Sequence, residues 1–164
     1  MITIRRFQIS DQNPVNRLIT GIMNQEFRED KSAYPTDDLA DILRTYGGLG
    51  EAFFVATNDE EIVGTVAIKK EDDRIALLRR LFVAPTYRKR QIGLKLIDRA
   101  LKFCDEVGYQ EVVFKTTSGM KAAIQSCQKR GFVQRAKLEL GTIELLKFSI
   151  SLRNCIKEIS GGHS

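Results

Sequence analysis

A chain of 164 residues, 43% apolar and 29% charged, is long enough for one domain with a real core and has the balance of an ordinary soluble globular protein. No apolar run approaches the ~20 residues a bilayer-spanning helix needs, and the opening MITIRRFQIS has no signal-peptide core behind its charges, so the expected location is the cytoplasm, without a membrane partner. The net charge of +5 conceals a division: Arg74 to Lys102 holds nine Lys or Arg against one acid, whereas Asn24 to Glu61 holds ten Asp or Glu against three bases.

TIRRF opens the chain as a short strand. From Asp11 to Phe27, the residues Val15, Leu18, Ile19, Ile22 and Met23 recur at helical spacing. Pro35 starts a second expected helix carrying Leu39, Ile42 and Leu43, with Thr36 or Asp37 near its N-cap, and GGLG at 47–50 breaks it. AFFVAT, IVGTVAIKK and RIALLRRLFVA then read as three strands of an antiparallel meander, joined by NDEE and KEDD turns.

An amphipathic helix follows from Arg88 to Val107, its stripe formed by Ile92, Leu96, Ile97, Ala100, Leu101, Cys104 and Val107, and Gly108 ends it. EVVFKT is a buried strand, and Met120 to Arg130 a helix closed by Gly131. FVQRAKLEL and TIELLKFSI form a last hairpin around Gly141-Thr142. No repeat or linker interrupts the chain. Cys104, Cys127 and Cys155 are odd in number and widely spaced, which argues against a disulfide framework and a zinc site, so no metal is expected. His163 sits in the polar tail ISGGHS.

The basic run Arg88, Lys89 and Arg90 lies where a strand hands over to a helix. A helix N-terminus has unpaired N–H groups and the positive end of its dipole, so it attracts anions, phosphate above all. Cations gathered there make better sense as phosphate ligands than as helix formers. Gly93 permits close backbone approach, or is a plain packing contact.

RRLFVAPTYRKRQIGLKLI resembles the acetyl-CoA-binding signature of the GNAT superfamily of acyltransferases, whose core reads Arg/Gln-x-x-Gly-x-Gly/Ala. Arg88 matches its first position and Gly93 its last, while Gln91 stands where the family has its first glycine. EVVFKTTSGMKAAIQSCQKRGF is similar to the family's later strand and helix ending in Gly-Phe, here Gly131-Phe132. The resemblance covers roughly residues 2–150 and implies an α/β fold of α+β type: a mixed, mostly antiparallel twisted sheet of six to seven strands flanked by about four helices. It places a single domain at 1–150, with 151–164 as a tail, partly helical or disordered.

The resemblance also implies acetyl-CoA as co-substrate. Its pantetheine arm would pair with the strand at Leu81, Phe82 and Val83. Its pyrophosphate would lie on the N–H groups of Arg88, Lys89, Arg90, Gln91, Ile92, Gly93 and Leu94. Gln91 is tolerable there if its φ is negative. The implied reaction is direct attack of an amine on the thioester in a ternary complex. It needs a neutral amine, a donor to the oxyanion and a proton for the thiolate.

The backbone N–H of Leu81 is the expected oxyanion donor. The family's frequent tyrosine acid falls on Cys127, whose thiol can donate a proton or simply pack in the core. Leu77 occupies the place of a common glutamate base, so a base comes from elsewhere, with Glu26, Glu29 and Asp30 as candidates, acts through water, or is unnecessary if the amine arrives partly deprotonated. Tyr34 and Tyr46 are candidates for lining the acceptor site.

Three functions follow: an N-acetyltransferase acting on a small or amino-acid-like primary amine, a non-catalytic acyl-CoA sensor, or a nucleic-acid binder. The basic patch lacks interleaved aromatics beyond Tyr87, which sets the last aside. The acidic segment 24–61 lies where the family covers its acceptor, which favours cationic amines. A monomer or homodimer is expected.

Overall fold

AFFVA is apolar at every position because both faces of the strand it forms are covered. In this strand, β2 (Ala52–Asn58), Phe54 and Ala56 face one buried cluster while Phe53 and Val55 face another. The computed structural model describes residues 1–152 and shows a seven-stranded sheet between these two clusters. β1 (Ile2–Arg6), β2, β3 (Glu61–Lys70) and β4 (Ile75–Val83) run antiparallel in sequence order. β5 (Glu111–Thr117) lies parallel to β4, and β7 (Ile143–Ser151) separates it from β6 (Val133–Leu140). The order is β1-β2-β3-β4-β5-β7-β6, the mixed, mostly antiparallel arrangement expected.

α1 (Gln12–Glu26) seals one face with Val15, Ile19, Ile22 and Met23. α3 (Ile92–Val107) seals the other with Ile92, Leu96, Ile97, Ala100, Phe103 and Cys104. Of the expected stripe, Val107 is exposed and Phe103 takes up the packing instead. Gly108 closes the helix at φ +102, a left-handed cap. α4 (Lys121–Lys129) packs beside α3. Leu152 is buried in the α3-side cluster, so the core reaches past residue 150. The remaining tail, with Cys155 and His163, lies outside the described residues.

The helix expected from Pro35 forms only in pieces. Asp37–Ala40 is a 3-10 turn, and α2 (Ile42–Thr45) is a single α turn. Asp41 interrupts them at φ −150, its carboxylate accepting from the Arg44 N–H at 3.2 Å. Asp competes for backbone donors in this way and so starts a turn rather than continuing one. Leu39 and Ile42 are buried as the spacing predicts, but Leu43 is exposed.

Candidate active site

The two halves of the sheet separate at one place. β4 and β5 stay in register from Ile75–Glu111 to Leu78–Phe114, and no pair follows. Just beyond, β4 carries a bulge: Phe82 opposes Thr65 and Arg79 opposes Ala67, so Arg80 and Leu81 together face Val66. Arg80 sits at φ +54, a left-handed conformation rare for a side chain of this kind. Its carbonyl leaves the ladder and accepts from the Thr65 hydroxyl at 2.7 Å.

Simple alternation would send the Arg79 and Arg80 side chains to opposite faces. The bulge brings both to Asp38. Arg80 donates twice to that carboxylate, at 2.9 and 2.6 Å, and once to the Pro35 carbonyl at 2.6 Å. The buried Tyr46 hydroxyl donates to Asp38 at 2.6 Å. Burial pushes the Asp38 carboxyl up, but hydrogen bonds from Arg80 and Tyr46 and the charges of both arginines outweigh it and hold it below the ordinary carboxylate range. Burial and the bond to Asp38 push the Tyr46 hydroxyl the other way, well above an ordinary phenol.

Two cavities meet at this bulge, with Leu81, Phe82 and Met120 in the walls of both. The larger is a cleft of about 770 Å³ between the end of β4, the start of α3 and the cleft side of α4. Of the residues expected to bind cofactor, Leu81, Phe82, Val83, Arg88, Lys89, Gln91, Ile92, Gly93 and Leu94 line it. Arg90 does not; its guanidinium lies 5.0 Å from the Tyr87 ring centre. α3 begins at Ile92 and no side chain caps it, so the N–H groups of its first turn are left for a ligand.

Gln91 has φ +64, not the negative value anticipated, and Lys89 has φ +65. Neither conformation fits a right-handed helix, which is why α3 starts four residues after Arg88. The cations are also not all free for an anion. Arg88 makes two bonds to Glu26, at 2.5 and 2.9 Å, and a third to the Val83 carbonyl at 3.2 Å. Gly93 is a close approach, since a Cβ there would stand 3.2 Å from Ser126 Oγ.

The smaller cavity, about 200 Å³, is bounded by β4 from Leu77 to Phe82, β5 from Val113 to Thr116, and Ala33, Tyr34 and Pro35. Tyr34 ties its loop to the end of β5: its hydroxyl accepts from the Thr117 N–H at 2.6 Å and donates to Thr117 Oγ1 at 3.0 Å. Tyr46 does not line this cavity, and Glu29 is exposed. Asp30 accepts from Thr117 Oγ1 at 3.0 Å. Glu26 lines the larger cleft, but both its carboxylate oxygens are occupied by Arg88.

Cys127 is not brought to either cavity. It is fully buried in the α3-side core, and burial pushes its thiol up to about 12, so the expected proton donor is a packing residue. Its neighbours Gln125 and Ser126 face the cleft instead. The segment 24–61 likewise sends no carboxylate into the smaller cavity, whose charged wall is Arg79, Arg80 and Lys115. The basis for expecting cationic amines is thereby removed. A sequence sign of that wall exists in ALLRRLFVA, where two adjacent arginines break an apolar strand.

The sequence model of the acetyltransferase (GNAT) family matches residues 18–132. Among curated proteins, N-acetyltransferase family 8 member 3 of Rattus norvegicus is 31% identical over 127 residues, 73% of this chain and 56% of that protein. N-acetyltransferase 8 of Homo sapiens is 32% identical over 101 residues, 58% of this chain and 44% of that protein. The chain spans about half the length of these relatives. Among solved structures, a GNAT-family acetyltransferase from Staphylococcus aureus superposes with a TM-score of 0.79 at 24% identity, covering 93% of this chain and 99% of that one. A Salmonella typhimurium acetyltransferase structure with its cofactor acetyl-CoA gives 0.76 at 18% identity, covering 92% and 94%.

Proposed function

The chain belongs to the acetyltransferase (GNAT) family, and from that premise we propose that it is an N-acetyltransferase moving the acetyl group of acetyl-CoA to the primary amine of a small or amino-acid-like acceptor. The observation that carries the reading is the junction at the β4 bulge, where a cleft suited to a long phosphorylated arm meets a compact second pocket. The catalytic unit is the single domain over residues 1–150, with Leu152 completing its core.

The cleft fits acetyl-CoA on this chain's own features. The uncapped first turn of α3 would take the pyrophosphate, with Gly93 admitting close backbone approach. The β4 backbone past Leu78, without a β5 partner, would pair with the pantetheine amides. Bound there, the thioester supplies the acetyl group. The amine nitrogen attacks its carbonyl carbon, forming the C–N bond and a tetrahedral oxyanion; the amine proton leaves to solvent, and collapse of the oxyanion breaks the C–S bond and expels CoA as thiolate. We assign oxyanion contact to the Leu81 N–H, at the point where both cavities meet. An alkyl thiol is far more acidic than water, so it leaves readily as thiolate and takes its proton from water, and no protein acid is required.

Melting with and without acetyl-CoA tests the cleft: a ligand at about 100 times its dissociation constant adds about 2.7 kcal/mol. Gly93→Asp should abolish the shift by placing bulk and negative charge where phosphate belongs. CoA release across a panel of primary amines tests the reaction. No shift at millimolar acetyl-CoA would sink the reading. Binding without release for any amine would make the chain an acyl-CoA sensor, the alternative favoured by the lack of a carboxylate in the smaller pocket's wall.

A further inference from the structure

Resting on that reading, we propose that the acceptor carries a carboxylate, as a free amino acid does, and that Arg79 and Lys115 bind it. The charge balance around the smaller pocket carries the argument. Its wall holds Arg79, Arg80 and Lys115 and no Asp or Glu. Asp38, just behind the wall, is satisfied by Arg80 and Tyr46. It lies 4.0 Å from the nearest Arg79 nitrogen, beyond hydrogen-bond reach.

Arg79 therefore keeps its donors, with its side chain 37% exposed and its guanidinium 5.9 Å from the Tyr46 ring centre. Lys115 faces the pocket from β5, exposed, and no ion-pair partner is found for it among the described residues. Val112 and Phe114 point to the α3-side core, so alternation directs Lys115 to the same face as Arg79. A guanidinium presents its donors in a planar fork that matches a carboxylate, and an ammonium beside it adds a point charge.

Such a wall does two things. It pins the acceptor by its acid group. It also disfavours the ammonium form of the acceptor, because like charges lower an amine's pKa. The nucleophile is then neutral more often, although the base position is filled by Leu77. The pocket is compact, about 200 Å³, which favours a small acceptor.

CoA release measured with amino acids and their primary amides decides the matter. The amide's amine is the less basic of the two, so any preference for the acid cannot come from amine reactivity. Wild type should favour the acid about ten-fold or more in kcat/KM. Arg79→Gln and Lys115→Gln should each raise the KM of the acid several-fold, erase the preference and leave the KM of acetyl-CoA unchanged. Lys115 is exposed, so its replacement leaves the fold intact even if Arg79→Gln does not fold. Equal or better use of amides or of diamines would overturn the inference while the acetyltransferase reading stands. If acetyl-CoA binds but no amine turns over, calorimetry of acid and amide on the CoA-loaded protein replaces kinetics. Acid binding weakened by Lys115→Gln then supports the inference, and no preference for the acid refutes it. If acetyl-CoA itself fails to bind, the functional reading falls and takes this inference with it.

Discussion

The Arg80 guanidinium donates Nε to Asp38 Oδ2 at 2.9 Å and a terminal nitrogen to Oδ1 at 2.6 Å, across 42 residues of chain. The pair holds the left-handed Arg80 backbone, and with it the bulge at which both cavities meet. Removing one partner of a buried pair costs about 3–5 kcal/mol, because the other charge stays behind unpaired. Asp38→Asn should therefore lower unfolding free energy strongly at neutral pH. The native carboxyl lies below its unfolded value of ~3.9, so its contribution is present above that pH and lost as pH falls through the native value. Urea unfolding from pH 7 to 3 should show the gap between wild type and Asp38→Asn closing. A constant gap would mean that Asp38 acts by shape alone.

Gln91 stands at φ +64 where a glycine would be unstrained. A left-handed residue with a Cβ costs about 1–2 kcal/mol, whereas a glycine loses roughly 0.5–1 kcal/mol in chain entropy. The strain wins by a small margin. Gln91→Gly should raise stability by about 0.5–1 kcal/mol and bind acetyl-CoA at least as tightly, while Gln91→Val should destabilise. Denaturant titration and calorimetry measure both, and a destabilised glycine variant would show that the side chain makes a contact worth more than the strain.

Arg88 and Glu26 are each about a third exposed, and such pairs contribute ~0.2–1 kcal/mol. If phosphate competes for Arg88, Glu26→Gln should tighten acetyl-CoA binding by about 1.5- to 5-fold at low salt and less at high salt. Turnover should stay near wild type. A loss of about 100-fold in kcat with unchanged affinity would instead assign Glu26 as the base.

Cys127 has no exposed surface, and its thiol remains protonated at ordinary pH. Cys127→Ala should cost about 1–2 kcal/mol, a drop of several degrees in Tm, with kcat within two-fold of wild type. Iodoacetamide mapping of the native protein should find Cys104 and Cys127 both protected. The stability linked to the buried neutral thiol is present below the unfolded pKa of ~8.5 and is lost as pH rises toward about 12. A ten-fold fall in kcat in a folded Cys127→Ala protein would restore it as a proton donor.

Periodicity made most of the elements legible. Val15, Ile19, Ile22 and Met23 mark α1, and Leu96, Ile97 and Ala100 mark α3, because a helix that buries one face must repeat its apolar residues at 3.6. The apolar run AFFVA reads as a strand covered on both sides, because each face must meet a core. The uncapped turn before α3 was legible too, since a helix N-terminus is local and its N–H groups need no distant partner.

What the sequence by itself determined is thus most of the elements, their order and the basic turn before α3. Only the tertiary structure decided which side chains the site contains. Whether Arg80 points with or against Arg79 depends on a bulge held by Asp38, and whether Cys127 or Ser126 faces the cleft depends on the rotation of α4 against α3. The acids of 24–61 were legible as a charge but not as a destination. Each carboxylate goes to whichever cation or backbone donor the fold brings near, as Glu26 goes to Arg88 and Asp38 to Arg80, 62 and 42 residues away. Pairing at that range is set by packing of the whole core, which no local pattern encodes.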